Sequence, residues 1–434
     1  MSKKTFIKGA FVLTLAGIIT RILGFFFKIF LSRIIGAECI GLYQLVMPVC
    51  AIAYAIGISG FEVAISRLTA VYHSQQKQQT AYYITLLTGT LSLSICILCC
   101  VLIRINADFI AKYFFHNPDC APLIRVIILS VPCSCIHCMV SGYYLGQERT
   151  AFPALSQLAE QIIRISSVYF IIKITGQSDA STGVISLVVG ELGAAVISIT
   201  CIVFARKKIS SALNEPWNYK IHLKEISATA LPVCINRTVL HGIQSIESTL
   251  IPFMLMQSGY TNSEALSIFG IITGMALPII LFPATLSNSI SLMLLPSVSK
   301  IKNNTDKIKE SGTSALLFSL IFGFICIVFF ETVGAPIGAF CFREEQVQIY
   351  IRIMAWLCPF MFLSTTYKSI LNALGLSSKV FANNMLSEAV CIIFILFIPR
   401  LGIKSYLFGL LLNQILNALL HIKVFKNYIS SISS

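Results

Sequence analysis

Residues 10–35 read AFVLTLAGIITRILGFFFKIFLSRII, an apolar run that contains Arg21, Lys28 and Arg33. A helix needs roughly 20 apolar residues to cross the hydrocarbon core of a bilayer, and this run is long enough. Each cation at the bilayer centre costs roughly 2.5–3.5 kcal/mol on insertion scales. The stretch therefore predicts a transmembrane helix whose charged side chains face protein or water rather than lipid.

The composition of the whole chain extends this interpretation. Of the 434 residues, 56% are hydrophobic and only 12% are charged, whereas a soluble domain carries about 25% charged residues. The net charge of +14 is compatible with nucleic-acid binding. The basic residues lie mostly between apolar runs, however, which favours the positive-inside rule of membrane proteins and predicts no nucleic-acid partner.

Twelve apolar runs predict an all-α integral membrane protein with about twelve transmembrane helices. The first run follows Lys3, Lys4 and Lys8 but is too long for a signal peptide and lacks a cleavage site, so it is a retained span. The predicted spans lie near 10–35, 41–65, 81–103, 121–145, 151–175, 183–205, 226–256, 266–295, 313–333, 348–372, 380–399 and 405–424.

The basic residues of the loops predict the orientation. If the N-terminus is cytoplasmic, eighteen Lys and Arg residues fall in one set of alternate loops and five in the other. Cytoplasmic loops carry the excess of positive charge. We therefore expect a multi-pass protein of the cytoplasmic (inner) membrane with both termini in the cytoplasm.

A charged connector at 206–225 divides the spans into six and six, which predicts an N-terminal six-helix bundle at 1–205 and a C-terminal one at 226–434. An internal repeat supports this division. Pro132, Gly146, Phe152 and Glu160 recur, with shifts of one or two residues, as Pro359, Gly375, Phe381 and Glu388. Because each half has an even number of spans, the repeats are parallel and related by a pseudo-twofold axis along the membrane normal.

Basic residues inside the spans are the candidate substrate-binding residues. Arg21 and Lys28 share one helical face with Gly24, and Arg33 lies near the outer end of the same span. One interpretation places Arg21 in a cavity. The other has these side chains reach the membrane interface or pair with Glu62 of the second span, and reaching the interface suits Arg33 better than the mid-span Arg21.

The seventh predicted span carries a polar stripe of Arg237, His241 and Gln244 at i, i+4 and i+7. Such a stripe faces protein or water, so it either lines a cavity or forms hydrogen bonds between helices. A cavity with several cations suits an anionic substrate, above all a phosphate or diphosphate. The predicted cationic lining is Arg21, Lys28, Arg237 and Lys368.

The acidic residues inside the spans are candidates for structural pairs or for ion coupling. Glu160 and Arg164 stand at i and i+4 in the favourable order, which predicts a structural pair, with cation or proton coupling as the alternative. Four more acids of the spans belong to this set of candidates. They are Glu62, Glu191, Glu247 and Glu388.

The sequence offers no constellation typical of an enzyme or of a metal site. Cys133, Cys135, His137 and Cys138 form the densest cluster, but they lie in an apolar run, and Cys133 and Cys135 fall on different helix faces. Buried cysteines acting as small hydrophobic residues explain them better than a metal does. There is no Gly-x-Ser-x-Gly, His-Glu-x-x-His or P-loop, so neither an enzyme nor a cofactor is predicted.

Three stretches carry a resemblance to a known family. They are TRILGFFFKIFLSRIIG at 20–36, GQERTAFPALSQLAEQIIR at 146–164 and EALSIFGIITGMALPIILFPATLSNSISLMLLPSVSK at 264–300. The chain resembles the stage V sporulation protein B branch of the multidrug/oligosaccharidyl-lipid/polysaccharide superfamily, whose members include MATE-like transporters and lipid II flippases.

The resemblance implies two six-helix bundles forming a V around a central cavity and working by alternating access. It implies an undecaprenyl-diphosphate-linked saccharide as substrate, for spore cortex or envelope peptidoglycan in a bacterium. Arg21 and Arg33 match the arginines of the family's first-helix motif, and Arg237 matches by helix position. The resemblance also implies fourteen helices, with an extra pair lining a groove for the lipid tail, whereas this chain ends after twelve predicted spans.

The predicted function is therefore a flippase for lipid-linked oligosaccharides, with membrane lipids and cell-wall synthases as candidate partners. Two alternatives to this function remain, and the second belongs to another functional class. A drug/cation antiporter of the same superfamily would show acidic rather than basic cavity residues, and a non-transporting scaffold would recruit cell-wall synthases.

Overall fold

Helices make up the fold wherever the chain is described. The structure, a computed structural model, describes residues 3–176, 178–207, 219–284 and 305–433, with side chains of the first helix described from Leu15 onward. Within these ranges the chain contains helices, turns and short connections but no strand. A bilayer leaves no water to bond free backbone groups, and the helix satisfies these groups internally. The predicted all-α membrane fold is confirmed.

Fourteen labelled helices are used below. They are α1 (Lys3–Gly57), α2 (Ser59–Ser74), α3 (Gln78–Ile105), α4 (Cys120–Ile127), α5 (Ser130–Gly146), α6 (Ala151–Thr175), α7 (Ala180–Lys207), α8 (Tyr219–Gln257), α9 (Asn262–Gly270), α10 (Thr305–Phe329), α11 (Gln346–Ala355), α12 (Cys358–Ala373), α13 (Ser377–Leu396) and α14 (Ile403–Ser433). The helix of α9 continues through the π-helical Ile271–Ala276 to Leu277–Leu281, and that of α10 continues through the π-helical Phe330–Gly334 to Ala335–Phe342.

Most predicted spans coincide with one helix or with two consecutive helices, although 380–399 runs beyond Leu396 and 285–295 lies outside the described residues. Eight helical stretches of the described chain are long and apolar enough to cross a membrane, or nine if the bent pair α11 and α12 counts as one span. One of the eight, Leu15–Ser74, is 60 residues long and holds the first two predicted spans. Helices α6 and α8 are also long, but polar side chains lower their hydropathy.

Gly36 separates the first two predicted spans. It lies inside α1 with a φ of 78° and a ψ of 173°, which is non-helical backbone. A residue with a Cβ is strained at this φ, and glycine is not. The kink at Gly36 therefore explains why one continuous helical stretch contains two spans.

The described chain forms two compact units. Unit 1 comprises Met1–Ile35 and Leu42–Ile246, and unit 2 comprises Gly36–Gly41 and Glu247–Ser434. In unit 1, α7 packs against α5 and α6, and α2 packs against α3 and α5. In unit 2, α13 packs against α14, and α12 packs against α10 and α14.

The core of unit 2 includes a cluster at the end of α12 and α14, where Leu371, Leu374, Phe425 and Ile429 are buried together. The predicted connector at 206–225 lies largely outside the described residues. The division of the chain at that connector stays a prediction.

We expect Gly36→Ala to destabilise the protein by roughly 1–2 kcal/mol, because alanine pays the left-handed backbone penalty that glycine avoids. An added Cβ at Gly36 meets no atom within 4 Å, so the cost is one of backbone alone. Gly17→Ala is the matched control, since Gly17 lies in the same helix, also has nothing within 4 Å, and keeps helical backbone. Thermal unfolding in detergent measures both. Equal midpoints for the two variants would contradict the role of Gly36.

Candidate functional site

A buried charge cluster joins α6 to α7 in unit 1. Arg164 Nη2 donates to Glu160 Oε1 at 2.5 Å and lies 3.4 Å from Glu191 Oε1. The side chains of Arg164 and Glu191 are 14% and 17% exposed. One guanidinium thus serves two carboxylates, and the cluster carries an excess of one negative charge when both acids are ionised.

Gly190 makes room for this cluster. A Cβ at Gly190 would lie 3.0 Å from the Arg164 Cβ and 3.3 Å from the Glu160 carbonyl oxygen. Small residues allow transmembrane helices to approach closely, and this approach brings the α7 carboxylate to the α6 guanidinium. Glu191 was an isolated acid by sequence, because nothing near it on α7 indicates the partner on α6.

The first helix contacts α6 beside this cluster. An added Cβ at Gly24 would lie 3.8 Å from Gln161 Oε1. Gln161 Oε1 and Arg164 Nε are both buried and have no hydrogen-bond partner among the described residues. The stripe that contains Gly24 therefore lies next to polar groups of α6 with unused bonding capacity.

The first-helix cations differ in their surroundings. Arg21 and Arg33 are exposed, and Lys28 is partly buried. Within the described ranges neither Arg21 nor Lys28 has an ion-pair partner. The structure thus places Arg21 and Lys28 in unit 1 as cations that are not neutralised by a described acid.

Glu62 does not pair with the first-helix cations. Its Oε2 accepts a hydrogen bond from the Tyr54 hydroxyl at 3.4 Å, and it interacts electrostatically with Arg237 of α8. Tyr54 also contacts the Cys138 thiol at 3.2 Å. The tertiary structure therefore brings Glu62 within electrostatic range of Arg237 and into hydrogen-bond contact with Tyr54.

The rest of the α8 stripe forms a local contact. His241 Nδ1 and Gln244 Oε1 are 3.1 Å apart, and Arg237 and Gln244 are exposed. This hydrogen bond lies within one helix. Interactions inside α8 therefore use only part of the hydrogen-bonding capacity of the stripe.

The Cys and His side chains of α5 contact several different helices. The Cys135 thiol contacts Ser92 at 3.2 Å, His137 Nδ1 contacts Ser198 at 3.2 Å, and Cys138 contacts Tyr54. In the part of the chain that the structure describes, no three His, Cys, Asp or Glu side chains could hold one metal ion. These side chains therefore take part in separate contacts between helices.

Unit 2 contains a second acidic group, formed by Glu247 of α8 and Glu388 of α13. The Cys391 thiol donates to Glu247 Oε1 at 3.4 Å, and Asn413 Nδ2 donates to Glu388 Oε2 at 2.9 Å. The buried Tyr406 hydroxyl lies beside Glu247, and the two carboxylates interact electrostatically. Neither carboxylate forms an ion pair with any described Lys, Arg or His.

Sequence reasoning named Glu247 and Glu388 but missed their partners. Asn413 begins a polar series at i, i+4 and i+8 on α14, with Asn417 and His421, and that series is a signal in the sequence. Cys391 and Tyr406 carry no comparable signal, since both residue types are common in apolar helices. Lys368 of α12 is exposed and lies near His421 rather than near the acidic pair.

The acids Glu160 and Glu388, which the predicted internal repeat relates, have different partners. In unit 1 the guanidinium of Arg164 neutralises Glu160. In unit 2 the amide of Asn413 bonds to Glu388 without bringing charge. Unit 2 therefore keeps two carboxylates where unit 1 has a carboxylate–guanidinium network.

Comparison with known proteins identifies the family. Residues 6–302 match the family described as polysaccharide biosynthesis protein, which is more than half of the chain. The chain belongs to this polysaccharide biosynthesis family. The resemblance predicted from the first helix and from residues 264–300 is confirmed.

Relatives and solved structures extend the family match over almost the whole chain. Stage V sporulation protein B of Bacillus subtilis (strain 168) is 25% identical over 432 residues, covering 97% of this chain and 83% of the relative. Lipid II flippase MurJ of the same organism is 22% identical, covering 93% and 79%. The inward-facing structure of a multidrug resistance MATE family transporter of the MOP superfamily superposes with a TM-score of 0.69 at 15% identity, covering 95% of both chains.

We expect Arg164→Gln to cost about 3–5 kcal/mol of stability, because it leaves two buried carboxylates without their shared cation. Glu160→Gln should cost less, since Arg164 keeps Glu191. Arg125→Gln is the control, because Arg125 pairs with Asp108 at the surface, and an exposed pair contributes at most about 1 kcal/mol. Equilibrium unfolding in mixed micelles measures all three. Equal losses at Arg164 and Arg125 would contradict a structural role for the buried cluster.

Proposed function

We propose that this family member is a flippase that moves a lipid-linked saccharide across the bacterial cytoplasmic membrane by alternating access. The observation that carries the proposal is the similarity of almost the whole chain to a lipid II flippase and to stage V sporulation protein B. The proposal assigns no catalytic residue and no cofactor. It places both termini in the cytoplasm, in agreement with the distribution of loop charges.

The substrate in this proposal is an undecaprenyl-diphosphate-linked saccharide, a peptidoglycan precursor or polysaccharide unit. A diphosphate head group loses water when it enters a protein, and nearby cations offset that cost. Arg21 and Lys28 support this assignment because no described acid neutralises them. The other residues proposed to line the path are Arg33, Arg237, His241, Gln244 and Lys368.

The proposed substrate has a polar part and an apolar part, and each needs a different path across the membrane. The saccharide-diphosphate head is polar and needs a protein path, while the polyprenyl tail is apolar and stays among the membrane lipids. The predicted bundles, 1–205 and 226–434, would rock about the head group and open it first to one side and then to the other. Cell-wall synthases are the enzymes that would use the product outside.

We further propose that the acidic pair of unit 2 couples transport to a cation. Glu247 and Glu388 supply two carboxylates, and Asn413 and Tyr406 supply neutral polar groups beside them. Two nearby carboxylates without a cation partner are a costly arrangement inside a membrane, and a bound proton or metal cation relieves it. The Glu160–Arg164–Glu191 cluster has its own cation, so we assign it a structural role.

Arg21→Ala is expected to abolish flipping of labelled lipid II in liposomes, since the guanidinium is proposed to contact the diphosphate. Arg21→Lys should restore little activity, because a lysine ammonium cannot form the planar bidentate fork. Arg33→Lys should be tolerated better, because Arg33 lies near the end of the span. Head-group accessibility to a membrane-impermeant reagent is the measurement.

The matched control is Arg67→Ala, an exposed arginine of α2 outside the predicted spans. It should flip lipid II at the wild-type rate. Normal complementation of a flippase-deficient strain by Arg21→Ala, at wild-type protein levels, would refute the assignment of Arg21. Gradient-driven transport of a cationic drug without flipping of lipid II would instead indicate an antiporter.

Glu388→Gln and Glu247→Gln are expected to remove the stimulation of flipping by an imposed ion or pH gradient. Both changes keep the side-chain volume and remove the charge that would bind the cation. Glu345→Gln, an exposed acid between α10 and α11, is the control and should keep the stimulation. Liposomes with defined gradients test the three variants in parallel. Full gradient stimulation in the Glu247→Gln/Glu388→Gln double variant would exclude the pair as the coupling site.

A further inference from the structure

A line of polar side chains leads away from the acidic pair along α14. Asn413, Asn417 and His421 stand at i, i+4 and i+8 and therefore share one face of the helix. Asn413 donates to Glu388, and one turn further Asn417 Nδ2 donates to Asn384 Oδ1 at 3.0 Å. We call Asn384, Asn413, Asn417 and His421 the α14 seam.

Several polar atoms of the α14 seam are buried with unused hydrogen-bonding capacity. Asn417 Oδ1, the neighbouring Asn383 Nδ2 and both ring nitrogens of His421 have no hydrogen-bond partner among the described residues. His421 is fully buried, at 0% exposure. A buried polar group left unsatisfied costs about 1–3 kcal/mol, and buried water bonded to two to four such groups is the usual remedy. The seam is therefore suited to hold a chain of water molecules.

Two backbone carbonyls and one cation lie near the His421 ring. The backbone carbonyls of Ser364 and Val380 face its ring, although neither ring nitrogen forms a direct hydrogen bond with a described residue. These carbonyls, from α12 and α13, are acceptors for a doubly protonated imidazole. Lys368 is the charged group that acts on His421 from α12.

We propose that protons reach Glu388 along the α14 seam. They enter from the side of the membrane where Lys423 and Lys426 lie, which the asymmetry of loop charges predicts to be the cytoplasm. The inference rests on the coupling role proposed for Glu247 and Glu388. From His421 to Asn413 the route covers about 12 Å, at 1.5 Å per residue of helix.

Each transfer along this route conserves the proton. A hydronium ion protonates one imidazole nitrogen of His421, and the other nitrogen releases its proton to water held by Asn417. That water passes a proton along the seam until an O–H bond forms on the Glu388 carboxylate. The asparagine amides position water and are not themselves protonated.

The seam fits a proton better than a metal cation. A hard cation needs about six oxygen ligands at each resting position. Below Glu388 the seam offers amide and imidazole groups, and the Asn384 oxygen already accepts a hydrogen bond from Asn417. Water, amide and imidazole are sufficient for proton transfer, whereas a metal cation would lose most of its ligands on this path.

The test uses dicyclohexylcarbodiimide, which modifies protonated carboxyl groups in membranes, on the full chain reconstituted in liposomes under a maintained pH gradient. Mass spectrometry measures the labelling of Glu388 when the pH of each side is varied separately. In the wild type, labelling should follow the pH of the predicted cytoplasmic side. His421→Gln and Asn417→Leu should lose this dependence.

His137→Gln is the matched control, because His137 is also buried but lies in unit 1, bonded to Ser198. It should label like the wild type. Asn384→Leu removes the same seam hydrogen bond from the other helix and replaces Asn417→Leu if that variant does not fold. Size-exclusion chromatography establishes folding for each variant.

Three results would overturn the route: seam variants that still follow the pH of the predicted cytoplasmic side, wild-type labelling that follows only the opposite side, or protection of Glu388 by sodium with no response to pH. None of these results requires a flipped substrate. Failure of the flippase proposal would instead appear as absent lipid II flipping while the labelling pattern is intact.

Discussion

A charged side chain in the hydrocarbon core needs a partner or water, and this requirement organises both units of the protein. In unit 1, Arg164 of α6 is held by two carboxylates, one from its own helix and one from α7. The helices can meet there because Gly190 has no side chain. Helix packing and charge neutralisation therefore depend on each other, because Arg164 reaches Glu191 only where α6 and α7 approach closely.

The acids that the predicted internal repeat relates, Glu160 and Glu388, have different partners in the two units. Only Glu160 has a guanidinium beside it, whereas Glu388 has the Asn413 amide. Unit 1 also carries the basic residues of the first helix, while unit 2 carries the acidic pair. The proposed roles match this difference, with the anionic head group assigned to basic residues of unit 1 and the coupling cation to the acids of unit 2.

Polar residues in apolar helices fall into two groups in this protein. Some complete a local pair, as His241 and Gln244 do within α8. Others, such as those of the α14 seam, have donors and acceptors that the described chain does not satisfy. The first group stabilises helices, and the second marks places where water, ions or substrate complete the structure.

The membrane class, the approximate course of the spans and the Glu160–Arg164 pair were predictable from the sequence. They depend on local quantities: about 20 apolar residues for a span, and the i to i+4 spacing that joins Glu160 to Arg164. The fold alone shows that Glu191 joins this pair, that Glu62 accepts a hydrogen bond from Tyr54, and that Asn413 bonds to Glu388. These partners come from different helices, and helix packing rather than sequence distance sets which of their faces meet.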